Sequence, residues 1–174
     1  MSDITRTHLK AIDLVKQTIK LFVAGLTATF FQMASAQTIG SWDYEIKNDF
    51  YAGTTNESSN SFGQQCSPAD KTCRYFVGLP SSCQVDVTYP ALVNADNGAF
   101  TAQLLCVGKV GKYNLYRYVF KDFDKIDSAA KTSTRIAIAI PLENSEVAVL
   151  RFPLDGALTA ITLMRNTADH ASGK

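Results

Sequence analysis

Four cysteines offer the clearest chemistry in this 174-residue chain: Cys66, Cys73, Cys83 and Cys106. Thiolates can ligate zinc, but structural zinc sites usually draw their ligands from closely spaced pairs of cysteine or histidine. Here six, nine and 22 residues separate the successive cysteines, and no histidine lies among them. The spacing therefore favours two disulfide bonds, which persist in oxidising compartments, and predicts neither a metal site nor another cofactor.

The pattern of hydrophobic residues predicts which cysteines pair. Residues Cys83–Tyr89 and Phe100–Val107 alternate like two β-strands, and an antiparallel hairpin with Tyr89 opposite Phe100 gathers their apolar side chains on one face. Counting along this register places the cysteines of the two strands opposite each other. The remaining two cysteines are then left to bond to each other.

Histidine-based catalysis has little material in this sequence. The histidines are His8, within the first 36 residues, and His170, which follows a polar stretch near the carboxyl end. A Ser-His-Asp or Cys-His site needs a histidine that the fold holds in position, and the glycines stand singly, without the spacing of a phosphate-binding loop. We therefore expect no enzyme and no catalytic residues. A hydrolase that uses a Ser–Lys pair or two carboxylates is the least favoured alternative.

Three nearby aspartates invite comparison with a calcium-binding loop. An EF-hand loop that started at Asp122 would need glycine at its sixth position and glutamate at its twelfth, but Asp127 and Ser133 stand there. Residues Lys121–Lys131 also have helical spacing of their apolar side chains. The sequence therefore predicts a short helix with a solvated acidic edge formed by Asp122, Asp124 and Asp127, and no metal ligands.

The first 36 residues differ in character from the rest. Four basic residues precede the apolar run Leu21–Met33, and Ala34-Ser35-Ala36 then provides the small-x-small pattern that signal peptidase accepts. The run is shorter than the roughly 20 residues that span a bilayer. We therefore expect a cleaved signal peptide, residues 1–36, before one disulfide-containing β domain, residues 37–174. An amphipathic amino-terminal helix and a membrane anchor are the alternatives.

The charge of the expected mature chain excludes some partners. Without residues 1–36 the chain has thirteen basic and fourteen acidic side chains, spread without long runs of one sign. A formal charge near −1 gives no basis for binding nucleic acid, and we expect no stable membrane span after cleavage. The signal peptide and the disulfides indicate a periplasmic or secreted protein.

The alternating pattern after residue 36 predicts a mainly β fold: a single antiparallel β-sandwich or barrel-like domain with one short helix, stabilised by two disulfides. We interpret residues 52–65 and 90–99, which are rich in turn formers, as exposed loops and candidate recognition surfaces. Residues 158–164 fit a strand or a helix, and residues 165–174 are expected to fray. The other predicted strands are Trp42–Ile46, Arg74–Leu79, Tyr113–Phe120, Arg135–Ile140 and Glu146–Phe152.

The segment Arg151-Phe-Pro-Leu-Asp-Gly-Ala-Leu-Thr-Ala-Ile161 resembles the closing segment of small exported bacterial proteins of the invasion-associated locus B type. A signal peptide, paired cysteines and a tryptophan soon after the cleavage site, here Trp42, fit the same family. The resemblance implies an exported, β-sandwich-like periplasmic protein without known chemistry. It brings no site residues with it.

These features favour an exported, non-enzymatic binding or accessory protein of the bacterial periplasm or cell envelope, whose partner is an unknown envelope protein or ligand. The main alternative is a structural protein that assembles through an exposed strand edge. Concentration-dependent sedimentation would favour assembly, whereas a monomer that captures a soluble ligand would favour binding.

Export predicts that the mature protein begins at Gln37. Mass mapping of amino-terminal peptides from the native protein should recover Gln37, or its pyroglutamate form, as the first residue. Recovery of intact Met1 would contradict the prediction of a cleaved signal peptide.

Overall fold

The computed structural model describes residues 37–46, 50–67, 69–110 and 114–171, all within a compact unit that spans Ala34–Lys174. The predicted signal peptide, residues 1–36, lies outside the described residues. The described chain forms ten strands and two helices. The strands are β1 (Gln37–Ile39), β2 (Trp42–Ile46), β3 (Phe50–Thr55), β4 (Ser61–Ser67), β5 (Thr72–Leu79), β6 (Thr88–Ala95), β7 (Gly98–Val110), β8 (Leu115–Phe120), β9 (Arg135–Pro141) and β10 (Val147–Pro153), and the helices are α1 (Phe123–Thr132) and α2 (Ala157–Ala171).

All ten strands belong to one antiparallel sheet with the order β1-β2-β3-β4-β5-β8-β7-β6-β9-β10. Two disulfides stabilise it, Cys66–Cys73 and Cys83–Cys106. The predicted fold class, a mainly β antiparallel domain with these two bridges, is therefore confirmed. The one short helix that the sequence predicted is α1, whereas α2 was not predicted.

The sheet curls so that strands distant in its order share one core. The ring of Phe62 on β4 lies 5.9 Å from that of Trp42, 6.0 Å from that of Tyr75 and 5.6 Å from that of Phe152. Phe152 belongs to β10, at the far end of the sheet order. Its contact with Phe62 therefore requires the sheet to fold back on itself, as a barrel-like sandwich does.

Two hydrogen bonds join the ends of this curled sheet without a strand ladder. Trp42 Nε1 donates to the carbonyl oxygen of Pro153 at 3.1 Å, and the backbone N–H of Ser41 donates to the carbonyl oxygen of Asp155 at 3.0 Å. We call this contact between the β1–β2 turn and the segment after β10 the end junction. It closes the core where the two ends of the sheet meet without strand pairing. We call this place the seam.

The central hairpin forms, but in a register four residues from the predicted one. Strands β6 and β7 pair Tyr89 with Leu104, whereas the prediction placed Tyr89 opposite Phe100. The turn dipeptide Asn97-Gly98 closes the hairpin tightly, so residues 90–99 are strand and turn and not a linking loop. Because the shift is an even number, each β7 side chain keeps its predicted face.

The Cys83–Cys106 disulfide forms although Cys83 lies outside the ladder. The turn Gln84–Val87, whose end residues share a backbone hydrogen bond of 3.2 Å, reverses the chain before β6. This reversal returns Cys83 to β7, with 6.1 Å between the bridged α-carbons. Val85 and Val87, predicted to face the core, are 58% and 37% exposed. The pairing was thus predicted correctly from a wrong register.

Residues 52–65, predicted as a long loop, form most of the hairpin β3–β4. Its turn is fixed by Asn56, whose Oδ1 accepts a hydrogen bond of 3.0 Å from the backbone N–H of Asn60. These strands show no hydrophobic alternation in the sequence, because several of their buried residues are polar, such as Thr54 and Gln64. The prediction of a long loop here is therefore wrong, because most of these residues belong to strands of the sheet. A recognition role for the exposed turn between the two strands stays a prediction.

The strands predicted from alternating patterns are confirmed within ±2 residues, apart from the hairpin discussed above. Trp42, Tyr118 and Phe120 are buried in the core. Helix α2 resolves residues 158–164 as helix and continues to Ala171, so the prediction of fraying from residue 165 is wrong. Its buried residues recur at helical spacing: Ala157, Ala160, Ile161, Met164 and Ala168.

Gly156 lies between β10 and α2 with a φ of +86°, in the left-handed region that favours glycine. It also packs against β1, because a Cβ added at this position would lie 1.8 Å from the carbonyl oxygen of Ile39. The end junction therefore depends on glycine for both backbone conformation and space.

We expect Gly156→Ala to lower the free energy of unfolding by more than about 2 kcal/mol, because backbone strain and a backbone collision act together. The matched control is Gly98→Ala, which meets a φ of +120° but no atom within 4 Å of the added Cβ. Urea denaturation followed by the fluorescence of Trp42 measures both variants. Equal losses would contradict the importance of close packing at the end junction.

Candidate functional site

A cluster of polar side chains joins the sheet to both helices. It consists of Gln64 on β4, Tyr75 on β5, Asp127 and Lys131 on α1, and Arg165 on α2, and we call it the Arg165 cluster. Gln64 and Tyr75 are fully buried, and the side chains of Asp127 and Arg165 are 19% and 22% exposed. Such a group of ionisable residues would be the first place to look for chemistry.

Asp127 accepts most of the hydrogen bonds in the Arg165 cluster. Its Oδ1 accepts from the guanidinium of Arg165 and, at 2.7 Å, from the hydroxyl of Tyr75. Its Oδ2 lies 2.9 Å from the ammonium of Lys131. Arg165 also donates from Nε to the side-chain oxygen of Gln64 at 2.7 Å. The cluster therefore holds two cations, one carboxylate and two neutral polar groups in mutual contact.

The electrostatics of the Arg165 cluster fit a structural role. Burial by itself raises the pKa of Asp127, but hydrogen bonds from Arg165, Lys131 and Tyr75 outweigh it and hold that pKa below its usual value. Burial, followed by the contact with Asp127, raises the pKa of Tyr75 above its usual value. At neutral pH Asp127 thus stays ionised and Tyr75 stays protonated, so neither is poised for proton transfer.

A second polar group surrounds the Cys83–Cys106 bridge. The hydroxyl of Tyr89 donates to Glu143 at 3.1 Å and accepts from the backbone N–H of Gln84 at 2.9 Å. Burial and the proximity of Tyr89 and Glu143 raise the pKa of Tyr118 to about 12. These contacts fasten the turn before β6 to the loop between β9 and β10.

The sequence-predicted site residues are not brought together. The four cysteines form two separate bridges, and His170 lies exposed in the last turn of α2. The interpretation of a solvated acidic edge on α1 holds for Asp124 and is wrong for Asp127. Within the described ranges, no three metal-ligating side chains converge.

Sequence reasoning missed Arg165, because it treated the end of the chain as frayed. The available signal was the helical spacing of small and apolar residues from Ala157 to Ala168, which continues past Arg165. That spacing predicts a helix packed on the sheet, and an arginine on the packed side of such a helix needs an acidic partner. The partner, Asp127, belonged to the aspartates already singled out.

The outer edge of β10 is an accessible feature of a different kind. In the sheet order β10 has β9 as its neighbour and no hydrogen-bonded strand on its other side in the described chain. Its outward side chains include Val147 and Val149, which are 61% and 49% exposed, and Arg151. A groove of about 330 Å³ adjoins this edge and is lined partly by Arg135 and Arg151.

The fold and the site define a class: a disulfide-bonded, curled antiparallel β domain whose buried charges are compensated within the fold. Among solved structures, the chain is similar to invasion associated protein B from Bartonella henselae, with a TM-score of 0.56 and 14% sequence identity. The similarity covers 76% of this chain and 97% of that one. It confirms at the level of the fold the resemblance that the closing segment indicated.

The sequence comparisons add nothing to this likeness, since no protein-family model and no curated protein sequence matches the chain. Neither helix of the described residues has the length and apolar character needed to cross a membrane.

The lowered pKa of Asp127 predicts how stability depends on pH. The unfolded chain binds the Asp127 proton more tightly, so the stabilisation is complete above the ordinary value of 3.8 and is lost as the pH falls through the folded pKa. We expect Asp127→Asn to lower stability at pH 7 by about 2 kcal/mol and to flatten the decrease below pH 3.8.

Urea denaturation across this pH range measures both effects of Asp127→Asn. The control is Asp124→Asn, on the exposed side of α1, which should change stability by no more than about 0.5 kcal/mol. An acid dependence of Asp127→Asn identical to that of the native protein would show that the Arg165 cluster is not what acid disrupts.

Proposed function

We propose that this chain is an exported accessory protein of the bacterial periplasm or cell envelope, which acts by binding and not by catalysis. One observation carries the proposal: both cations of the Arg165 cluster pair with Asp127, and these contacts join the helices to the sheet. Chemistry requires a group that can give or take a proton or electron pair near neutral pH, and this cluster offers none. The surface of the domain remains as the functional part.

Three features support export. The first 36 residues have the order of a signal peptide, with basic residues, an apolar run and Ala34-Ser35-Ala36. All four cysteines are used in disulfides, which persist in oxidising compartments. The fold is similar to that of a protein named invasion associated protein B. Residues 1–36 would then be removed and residues 37–174 would be the working domain.

A second candidate function is assembly through a strand edge, as the sequence also indicated. The open outer edge of β10, with two exposed valines, is the observation that favours it. Open edges present unpaired N–H and C=O groups to which another strand can bond. Both candidates place function on the surface, and they differ in whether the partner is another protein or a further copy of this chain.

Crosslinking in the native envelope, followed by affinity capture and mass spectrometry, should recover a defined partner other than the chain itself. Replacement of the single mature-chain histidine, His170→Ala, should leave both capture and the melting curve unchanged, since the side chain is exposed. Loss of a measurable activity in that variant, with an unchanged melting curve, would overturn the binding role. Recovery of this chain alone would favour assembly.

A further inference from the structure

The outer edge of β10 is open over a definite length. At its carboxyl end, the carbonyl oxygen of Pro153 accepts the hydrogen bond from Trp42, so the end junction occupies that part. From Val147 to Arg151 the strand pairs with β9 on one side and has no ladder partner on the other within the described residues. The edge therefore offers backbone donors and acceptors over five residues, enough for a short added strand.

An apolar row leads up to this open edge on the outer face of the sheet. Register places Leu92 of β6 beside Ala139 of β9, and Ala139 beside Val149 of β10. Leu92 is 53% exposed and Val149 is 49% exposed, and Val147 lies next to them at 61%. Edge strands of soluble proteins usually carry charges or prolines at such positions, so this exposed row indicates a contact surface.

The charge beside the apolar row is positive. Register places Arg151 next to Ala137, one row along from Val149. The side chain of Arg151 has no ion-pair or hydrogen-bond partner in the described part of the chain, and Arg135, 85% exposed, lines the same groove. Asp96 lies 4.0 Å from Arg135 and offsets part of its charge. An occupant that placed a carboxylate near Arg151 would therefore complement the edge.

A second copy of this chain does not supply that carboxylate. When two β10 strands pair antiparallel about a two-fold axis, outward side chains meet outward side chains. Glu146 differs from Arg151 by an odd number of positions, so it cannot face Arg151 on the outer side in any such register. Glu143 has the right parity, but it lies in the β9–β10 turn and already accepts hydrogen bonds from Tyr89 and Ser82.

We propose that the edge Val147–Arg151 binds an extended segment of a partner protein as an eleventh, antiparallel strand, and that this segment carries the alternating pattern acidic–x–apolar–x–apolar. The acidic side chain faces Arg151, and the two apolar side chains face Val149 and Val147. Antiparallel pairing follows the other ladders of the sheet and is the more stable arrangement. This inference rests on the proposed binding function and names its site and its class of partner.

The test uses a short synthetic peptide, blocked at both ends, in which one glutamate and two valines alternate with threonine. Amide NMR spectra of the disulfide-bonded protein are recorded as the peptide is added to millimolar concentration. We expect chemical-shift changes centred on β10 and its neighbour β9, and slower hydrogen exchange for amides of Val147–Arg151. No change at β10 at the highest concentration would overturn the proposal.

Charge reversal tests the recognition of the acidic residue. Arg151→Glu should lower the affinity for the glutamate peptide by about tenfold, because an attraction becomes a repulsion. The same variant should raise the affinity for a peptide that has lysine in place of the glutamate. Equal affinity of the native protein for the two peptides would overturn the acidic preference. Because Arg151 is exposed, the melting curve of Arg151→Glu verifies that its fold is intact.

A matched pair of valine substitutions tests the apolar part of the edge. Val149→Lys should remove binding, whereas Val85→Lys, at another exposed valine in the turn before β6, should not alter it. Sedimentation distinguishes the occupant: self-association of the native protein that Val149→Lys abolishes would overturn the proposal in favour of a second copy. If the peptide does not bind but crosslinking recovers an envelope partner, the β10 edge is not the binding site, and the proposed binding function still stands.

Discussion

The fold depends on closing a curled sheet whose two end strands do not pair. The end junction closes the sheet with a tryptophan and a glycine. The indole of Trp42 donates to the carbonyl oxygen of Pro153, the last residue of β10, and Gly156 lets the chain that follows pass against β1. Closure brings Phe62 and Phe152 into contact, and these two rings link the aromatic core across the seam. Because no ladder holds the seam, its stability rests on close packing, which tolerates little change in side-chain volume.

Charged residues inside this domain serve the same purpose. Asp127 gathers hydrogen bonds from α2, α1 and β5, which fixes both helices on the sheet without leaving a buried charge unpaired. The cysteines act similarly, since each bridge fastens a turn or hairpin end to a neighbouring strand. Residue types that often mark catalysis are thereby used in holding the fold.

The two edge strands of the sheet differ in length and accessibility, and this difference bears on where a partner binds. Strand β1 is only three residues long, a common way to make an edge unsuitable for further pairing. Strand β10 is seven residues long, is held by the end junction at one end and is open with exposed valines at the other. A rigid, partly open edge costs little entropy to pair with, because its own residues are already ordered.

The sequence by itself determined the features that depend on local pattern. Alternating side chains located most strands, and even the hairpin in the wrong register kept each β7 side chain on its proper face, since alternation has a period of two. It also determined that both bridges would form. Only the tertiary structure decided the register, the hairpin within residues 52–65 and the role of Arg165. Those depend on a tight turn at Asn97-Gly98, on burial of polar Thr54 and Gln64, and on a partner 38 positions away in sequence. Pairing energies between distant residues exist only once the chain has folded, so no local pattern contains them.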